Sequence, residues 1–334
     1  MSEGMNRRSL ITLLGGAAAA WPVVVGFGVS AQTASNISTS TYPNQTVRIV
    51  VPVTAGSTAD ILARTLADKF ALMWNQNVIV ENRPGIAGVT NVAKGAADGY
   101  TMMLTSNGHA AVGSLNKGLA FDPVSDLIGI AQIGVIPLVL VVPLALPATT
   151  LSDVIALAKA KPGSLNFASA GLGSTSHLAG EVFKRTANVD IRHVPYRGAE
   201  SLTSIVRGDT EMTFVPVTVA LELIQTSKLR AIAVVSRSRI ATLPNVPTIG
   251  EAGLQEFTYD AWFGLFAPTQ TPQPVIDKIG RETKQILELP DIKMRLSQQG
   301  VEIAFAASVW FDELVKIDAD RYGKLLADSG ASTR

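Results

Sequence analysis

Two short segments hold the residue types best suited to catching an anion. Gly56-Ser57-Thr58-Ala59-Asp60 and Gly173-Ser174-Thr175-Ser176-His177 each follow a strand-like run and open a helical pattern. A helix start presents backbone N–H groups with no intrahelical partner and the positive end of the peptide dipole. Two such starts facing one cleft, with their Ser and Thr hydroxyls, make an anion site that needs neither Lys nor Arg, and a small carboxylate is its natural guest. Hydrogen bonds to a charged group contribute roughly 1.5 to 3 kcal/mol each. About four of them therefore reach the ~8 kcal/mol of micromolar binding after the entropic costs of association. The same residues also serve as plain helix caps, so the motif alone leaves both readings open.

Other chemistries find less support. Gly171-Leu172-Gly173-Ser174-Thr175-Ser176 starts like a dinucleotide fingerprint but lacks the third glycine, and the phosphate-loop and Gly-x-Ser-x-Gly patterns are absent. A hydrolase would have to pair Ser174 with His177, its only evident base. His109, His177 and His193 show no short ligand spacing and the chain has 0 cysteines, so neither a metal nor a cofactor is expected, and no disulfide can form. Lys+Arg numbers 28 against 27 Asp+Glu, without a basic cluster, which argues against nucleic acid.

The elements around these segments alternate between strand and helix. Val47 to Val53 reads as a strand, followed by a helix with Ile61, Leu62, Leu66 and Phe70 on one side. Strands at Val78 to Val80 and Tyr100 to Leu104 flank a small-residue helix. Thr150, with Asp153 three residues on, caps a helix that stops at Pro162-Gly163. Leu165 to Ala168, Ile191 to Val194, Glu211 to Val215 and Leu229 to Val235 complete a second set of strands. Leu127 to Ser152 carries no charge and is long enough to span a bilayer, but Pro137, Pro143 and Pro147 break it, and Val135 to Val142 reads as buried strand. After Ala261 to Ala267 no further sheet is evident, and the remainder reads as helix. This pattern predicts an α/β protein of two domains, each a mostly parallel sheet flanked by helices. Residues 42–142 plus 264–334 would form a discontinuous first domain and 143–263 the second, with a hinge at the two crossings.

At the N-terminus, Arg7-Arg8 precedes an uncharged stretch that ends at Val29-Ser30-Ala31, the order of an export signal. Cleavage after Ala31 is expected, and the twin Arg allows the Tat route beside Sec. An uncleaved anchor is disfavoured because Pro22, Gly26 and Gly28 interrupt the apolar run.

Longer blocks resemble a known family. Thr46-Val47-Arg48-Ile49-Val50-Val51-Pro52 with Ala55 to Arg64, Val80 to Gly85, Ala97 to Thr101, Ala168 to Gly171 with Ser176 to Glu181, Val194 to Gly198, Leu243 to Thr248 and Trp262 to Pro268 occur in order along the chain. Together they resemble the Bug family, the extracytoplasmic solute receptors of tripartite tricarboxylate transporters. The resemblance implies a type II, Venus-flytrap periplasmic binding protein, monomeric and without catalysis, that delivers a small carboxylate to membrane subunits of the transporter. Presentation of the closed form to a sensor protein is the alternative use of the same cleft. Carried over by resemblance, the ligand lies against Gly56, Ser57, Thr58 and Asp60 on one side and Ser169, Ala170, Gly173, Ser174 and Thr175 on the other. Ser106, Asn107 and His109 line a third loop. Apart from the resemblance, Arg197 follows Tyr196 in a strand-to-helix loop, where it can meet a second carboxylate or serve equally well at the surface. Two departures stand out. Ser57 occupies a position often held by a second glycine, and Val215-Pro216 stands where many members carry an acidic or polar pair. Val215 favours an apolar or purely acidic ligand over an amino acid. Asp60, in the first turn of its helix, suits the dipole and can order the loop as well as touch a ligand.

Overall fold

A computed structural model describes residues 42–257 and 259–329; the export signal expected over residues 1–31 lies outside them. Eleven strands, ten α-helices and a 3-10 helix at Asn107–Ala111 are formed among the described residues. The first lobe holds a six-stranded sheet of order β11-β4-β10-β3-β1-β2. Its strands are β1 (Val47–Val51), β2 (Val78–Asn82), β3 (Thr101–Ser106), β4 (Leu127–Val135), β10 (Trp262–Pro268) and β11 (Glu302–Ala307). The second lobe holds a five-stranded sheet of order β7-β6-β8-β5-β9. Those strands are β5 (Leu138–Pro143), β6 (Asn166–Ser169), β7 (Arg192–Pro195), β8 (Met212–Pro216) and β9 (Leu229–Val235).

Helices α1 (Thr58–Trp74), α2 (Ile86–Ala93), α3 (Val112–Leu115), α8 (Gln273–Glu288), α9 (Pro290–Gln298) and α10 (Ser308–Ser329) belong to the first lobe. Helices α4 (Leu151–Ala160), α5 (Thr175–Ala187), α6 (Glu200–Arg207) and α7 (Val217–Gln225) belong to the second. α4 begins with the expected reciprocal cap between Thr150 and Asp153. None of the helices among the described residues is long and apolar enough to cross a membrane.

The sheets are mixed rather than mostly parallel. β1 pairs in parallel with β2 and β3, and β6 with β7 and β8. The strands at which the chain changes lobe run the other way: β10 is antiparallel to β3 and β4, and β5 to β8 and β9. A chain that leaves a βα-built sheet and later re-enters it adds strands without a helical crossover, so parallel geometry is not imposed on them. The uncharged run is two strands, not one. Ile136-Pro137 separates β4 from β5, and because β5 belongs to the second sheet the first crossing precedes the boundary expected at residue 143. Trp262 and Phe263 likewise belong to the first sheet. The two crossings touch, with the Ile136 N–H donating to the Ala261 carbonyl at 3.0 Å.

β11 is the strand that sequence patterning missed. It pairs with β4 at the sheet edge and is half-exposed, so it lacks a clean apolar alternation. The helix that follows is anchored by Phe311, whose ring fills a notch between Gly129 of β4 and Gly264 of β10. A Cβ at Gly264 would collide with that ring, and Trp262 meets it edge-on with centroids 5.1 Å apart.

Candidate functional site

Between the lobes lies a cleft of about 450 Å³. The two Gly-Ser-Thr segments meet there with matching geometry. Gly56 and Gly173 adopt φ of 80° and 73°, a left-handed turn natural to glycine. Ser57 and Ser174 then take extended backbone angles as N-caps of α1 and α5. Each serine oxygen accepts from the N–H three residues on, Asp60 and His177 respectively, both at 3.3 Å. Each glycine N–H donates to the side chain four residues on, to Asp60 Oδ2 at 2.9 Å and to His177 Nδ1 at 3.1 Å. The first N–H of α1 bonded to a carbonyl four residues back is that of Ile61, and of α5 that of Leu178. The N–H groups of Thr58, Ala59, Thr175 and Ser176 precede those bonds at the cleft.

Seven of the expected residues line this cleft: Ser57, Thr58, Ser106, Ala170, Ser174, Thr175 and Val215. The others have different surroundings. Asp60 is buried and its carboxylate is saturated, accepting from Gly56, from Arg64 through Nε and Nη2 at 3.1 and 3.0 Å, and from Asn82 at 3.0 Å. Burial works against its charge, but the bonds from Arg64, the Gly56 N–H and Asn82 prevail and hold it below the ordinary carboxylate range. Asp60 shapes the loop, then, and has no free lone pair to offer a ligand. Asp60→Ala takes the acceptor away from the Gly56 N–H and from Arg64, both of which water can reach, and a loss of about 1 kcal/mol in denaturant midpoint analysis is expected.

Asn107, placed by sequence on the cleft wall, is fully buried beneath it. Its amide donates to Tyr259 Oη at 2.7 Å and Tyr322 Oη at 3.2 Å, and its oxygen accepts from Thr175 Oγ1 at 3.2 Å. Tyr259 in turn donates to the Thr175 carbonyl at 2.7 Å, so the cluster ties the first lobe to the start of α5. Alongside, Gly108 lies against Gly173: a Cβ on Gly108 would stand 2.6 Å from the Gly173 oxygen.

His109 is not at the cleft. Its ring packs on Phe266 in the first-lobe core, with both ring nitrogens buried and unpartnered, and burial pushes its pKa down to about 4. Ser169 is also fully buried, its Oγ 2.6 Å from His193 Nε2. Gly173 contributes its turn and its N–H bond to His177, and Gly56 does the same for Asp60. Arg197 is exposed next to the lining residue Gly198, off the cleft wall. The Ser174–His177 couple that a hydrolase requires does not form: Ser174 Oγ donates to the Gly171 carbonyl at 2.7 Å, while His177 Nδ1 accepts from Gly173.

Several lining residues carried no sequence signal. Ala199 caps α6 and Ser201 lies in its first turn, in a helix given no bounds from sequence although its apolar periodicity is strong. Ile136, Leu138, Ala261 and Phe263 form the floor where the two crossings meet. Phe263 faces Ser106 across the β10–β3 ladder, a pairing that only the antiparallel return creates.

Two lobes built on mixed sheets, crossed twice by the chain and closing on a cleft rimmed by helix starts, define the bilobal solute-binding class. The chain belongs to the tripartite tricarboxylate transporter receptor family, whose family model matches residues 62–330. Among curated relatives, protein BugT of Bordetella pertussis is 32% identical over 322 residues, covering 93% of this chain and 98% of that protein. Among solved structures, Rpa4515 of R. palustris with adipate shares 30% identity and superposes with a TM-score of 0.75 over 87% of this chain and 100% of that one. MatC (Rpa3494) from Rhodopseudomonas palustris with bound malate gives 30% identity and 0.72 over 85% and 100%.

Proposed function

We propose that the protein is a periplasmic receptor that captures a small organic carboxylate between its lobes and hands it to the membrane subunits of a tripartite tricarboxylate-type transporter, without chemical turnover. The observation that carries this reading is the matched pair of Gly-Ser-Thr helix starts, one from each lobe, opening on one cleft. The N–H groups of Thr58, Ala59, Thr175 and Ser176, with the Ser57 hydroxyl, are the donors assigned to the carboxylate. Ser57 Oγ accepts from Asp60, which leaves its proton for the ligand. The bound adipate and malate of the two R. palustris relatives support a carboxylate, and the likeness to the periplasmic binding protein BugD supports a periplasmic setting; the leader expected over residues 1–31 would take the chain there by Tat or Sec.

In this reading residues 42–137 with 262–329 act as one domain and 138–235 as the body of the other. Because donors are split between lobes, ligand favours the closed form and stabilises the fold by mass action. At one hundred times its Kd, a ligand adds about 2.7 kcal/mol. Thermal-shift measurements against mono-, di- and tricarboxylates, aromatic acids and amino acids test it. A shift with an acid that is reduced about tenfold in potency by Ser57→Ala supports the two-loop site. No shift with any acid, in protein stripped of co-purified ligand, removes the carboxylate reading.

A further inference from the structure

We infer that the cleft selects an acid with one carboxylate and an apolar body over a di- or tricarboxylate; this rests on the carboxylate reading above. Among the described residues, the cleft is lined without a single charged side chain. Its anion-seeking groups are gathered at the starts of α1 and α5. Two further helices that begin at the cleft, α6 and α7, lack the serine cap. In α6 the first-turn groups are already used: Ser201 N–H donates to Gly198 O, Leu202 N–H to Ala199 O at 3.1 Å, and Ser201 Oγ to Gly198 O at 2.9 Å. α7 starts after Pro216, which has no N–H and no capping side chain, and its Val217 N–H donates to the Pro137 carbonyl at 3.1 Å.

Around those two helix starts and across the floor the wall is hydrocarbon, from Leu138, Phe214, Val215, Val219 and Phe263. A second carboxylate seated there gives up its water and meets no cation in return. An alkyl or aryl body seated there is removed from water against surfaces that match it. Arg197, the one guanidinium near the rim, lies off the wall and cannot supply the missing charge without leaving solvent.

Isothermal titration of the whole protein against acids paired by carbon skeleton tests the inference: hexanoate with adipate, octanoate with suberate, and p-toluate with terephthalate. In every pair that binds, the monocarboxylate is expected to be at least about tenfold tighter, a difference of ~1.4 kcal/mol. Equal or tighter binding of the dicarboxylate overturns the inference and leaves the carboxylate reading standing; silence from every acid overturns both. Val219 is half-exposed, so Val219→Lys keeps the fold while placing a cation on the apolar wall. That variant is expected to raise adipate affinity about tenfold relative to hexanoate. An unchanged ratio would overturn the assignment of the apolar end.

Discussion

Taking the protein from pH 7 to pH 5 is expected to lower its unfolding free energy by several kcal/mol, through three histidines that the fold keeps neutral. His177 is driven down to about 3, by burial first and then by His193 and Lys184. His193 falls to about 4 through burial and Lys184, and His109 to about 4 because burial outweighs the weaker pull of the Pro123 backbone. A histidine whose folded pKa lies below its unfolded value of ~6.5 contributes stability that is complete above that value and lost as pH falls toward the folded pKa. For His177 alone the loss at pH 5 is about 2 kcal/mol. Glu181 and Asp318 work in the opposite sense, because burial raises their pKa values and acid relieves that penalty, but they are two groups against three. Urea midpoints across this range provide the measurement. His109→Phe is expected to flatten the slope and leave the protein more stable than wild type at pH 5, since it removes two unpartnered buried nitrogens. A slope of the same size in that variant would exclude His109 as a contributor.

The second large effect concerns the tie between lobes. Asn107→Ala takes from the buried Tyr259 and Tyr322 hydroxyls the amide donor they share and from Thr175 Oγ1 its acceptor, at a cost of about 2 kcal/mol. Part of that cost is avoided by opening, which lets water reach Tyr259. Small-angle scattering of the variant without ligand is therefore expected to show a larger radius of gyration than wild type. Gly108→Val should act in the same direction by steric means, since its side chain meets the Gly173 carbonyl. A radius unchanged in both variants would show that the tie does not set the lobe angle.

How much of this was readable beforehand depends on whether a signal is local. The paired Gly-Ser-Thr starts were legible because a left-handed glycine, an N-capping hydroxyl and a helix are all specified within five residues. The alternation of strands and helices was legible for the same reason. Lobe membership was not: Val139 to Val142 looks alike in either sheet, and only pairing with β8 and β9 decides it. Asp60, Asn107 and His109 have side chains suited to ligand binding, yet each is buried by contacts from elsewhere in the chain. Asp60 is claimed by Arg64 and Asn82, Asn107 by tyrosines more than a hundred residues away, and His109 by Phe266. Side-chain chemistry can be read from a single position, whereas exposure depends on the whole fold.

The order of strands in the first sheet has a bearing on how the chain is made. β4 is flanked by β10 and β11, both of which come after the entire second lobe in sequence. During synthesis the second lobe, drawn from one continuous stretch, can complete its pairings early, while β4 waits with both edges open. The last helix then closes the earlier half by seating Phe311 in its glycine notch. A nascent chain of this design stays unfinished until nearly all of it has emerged, which would give any pathway that threads unfolded polypeptide a long window in which to engage it.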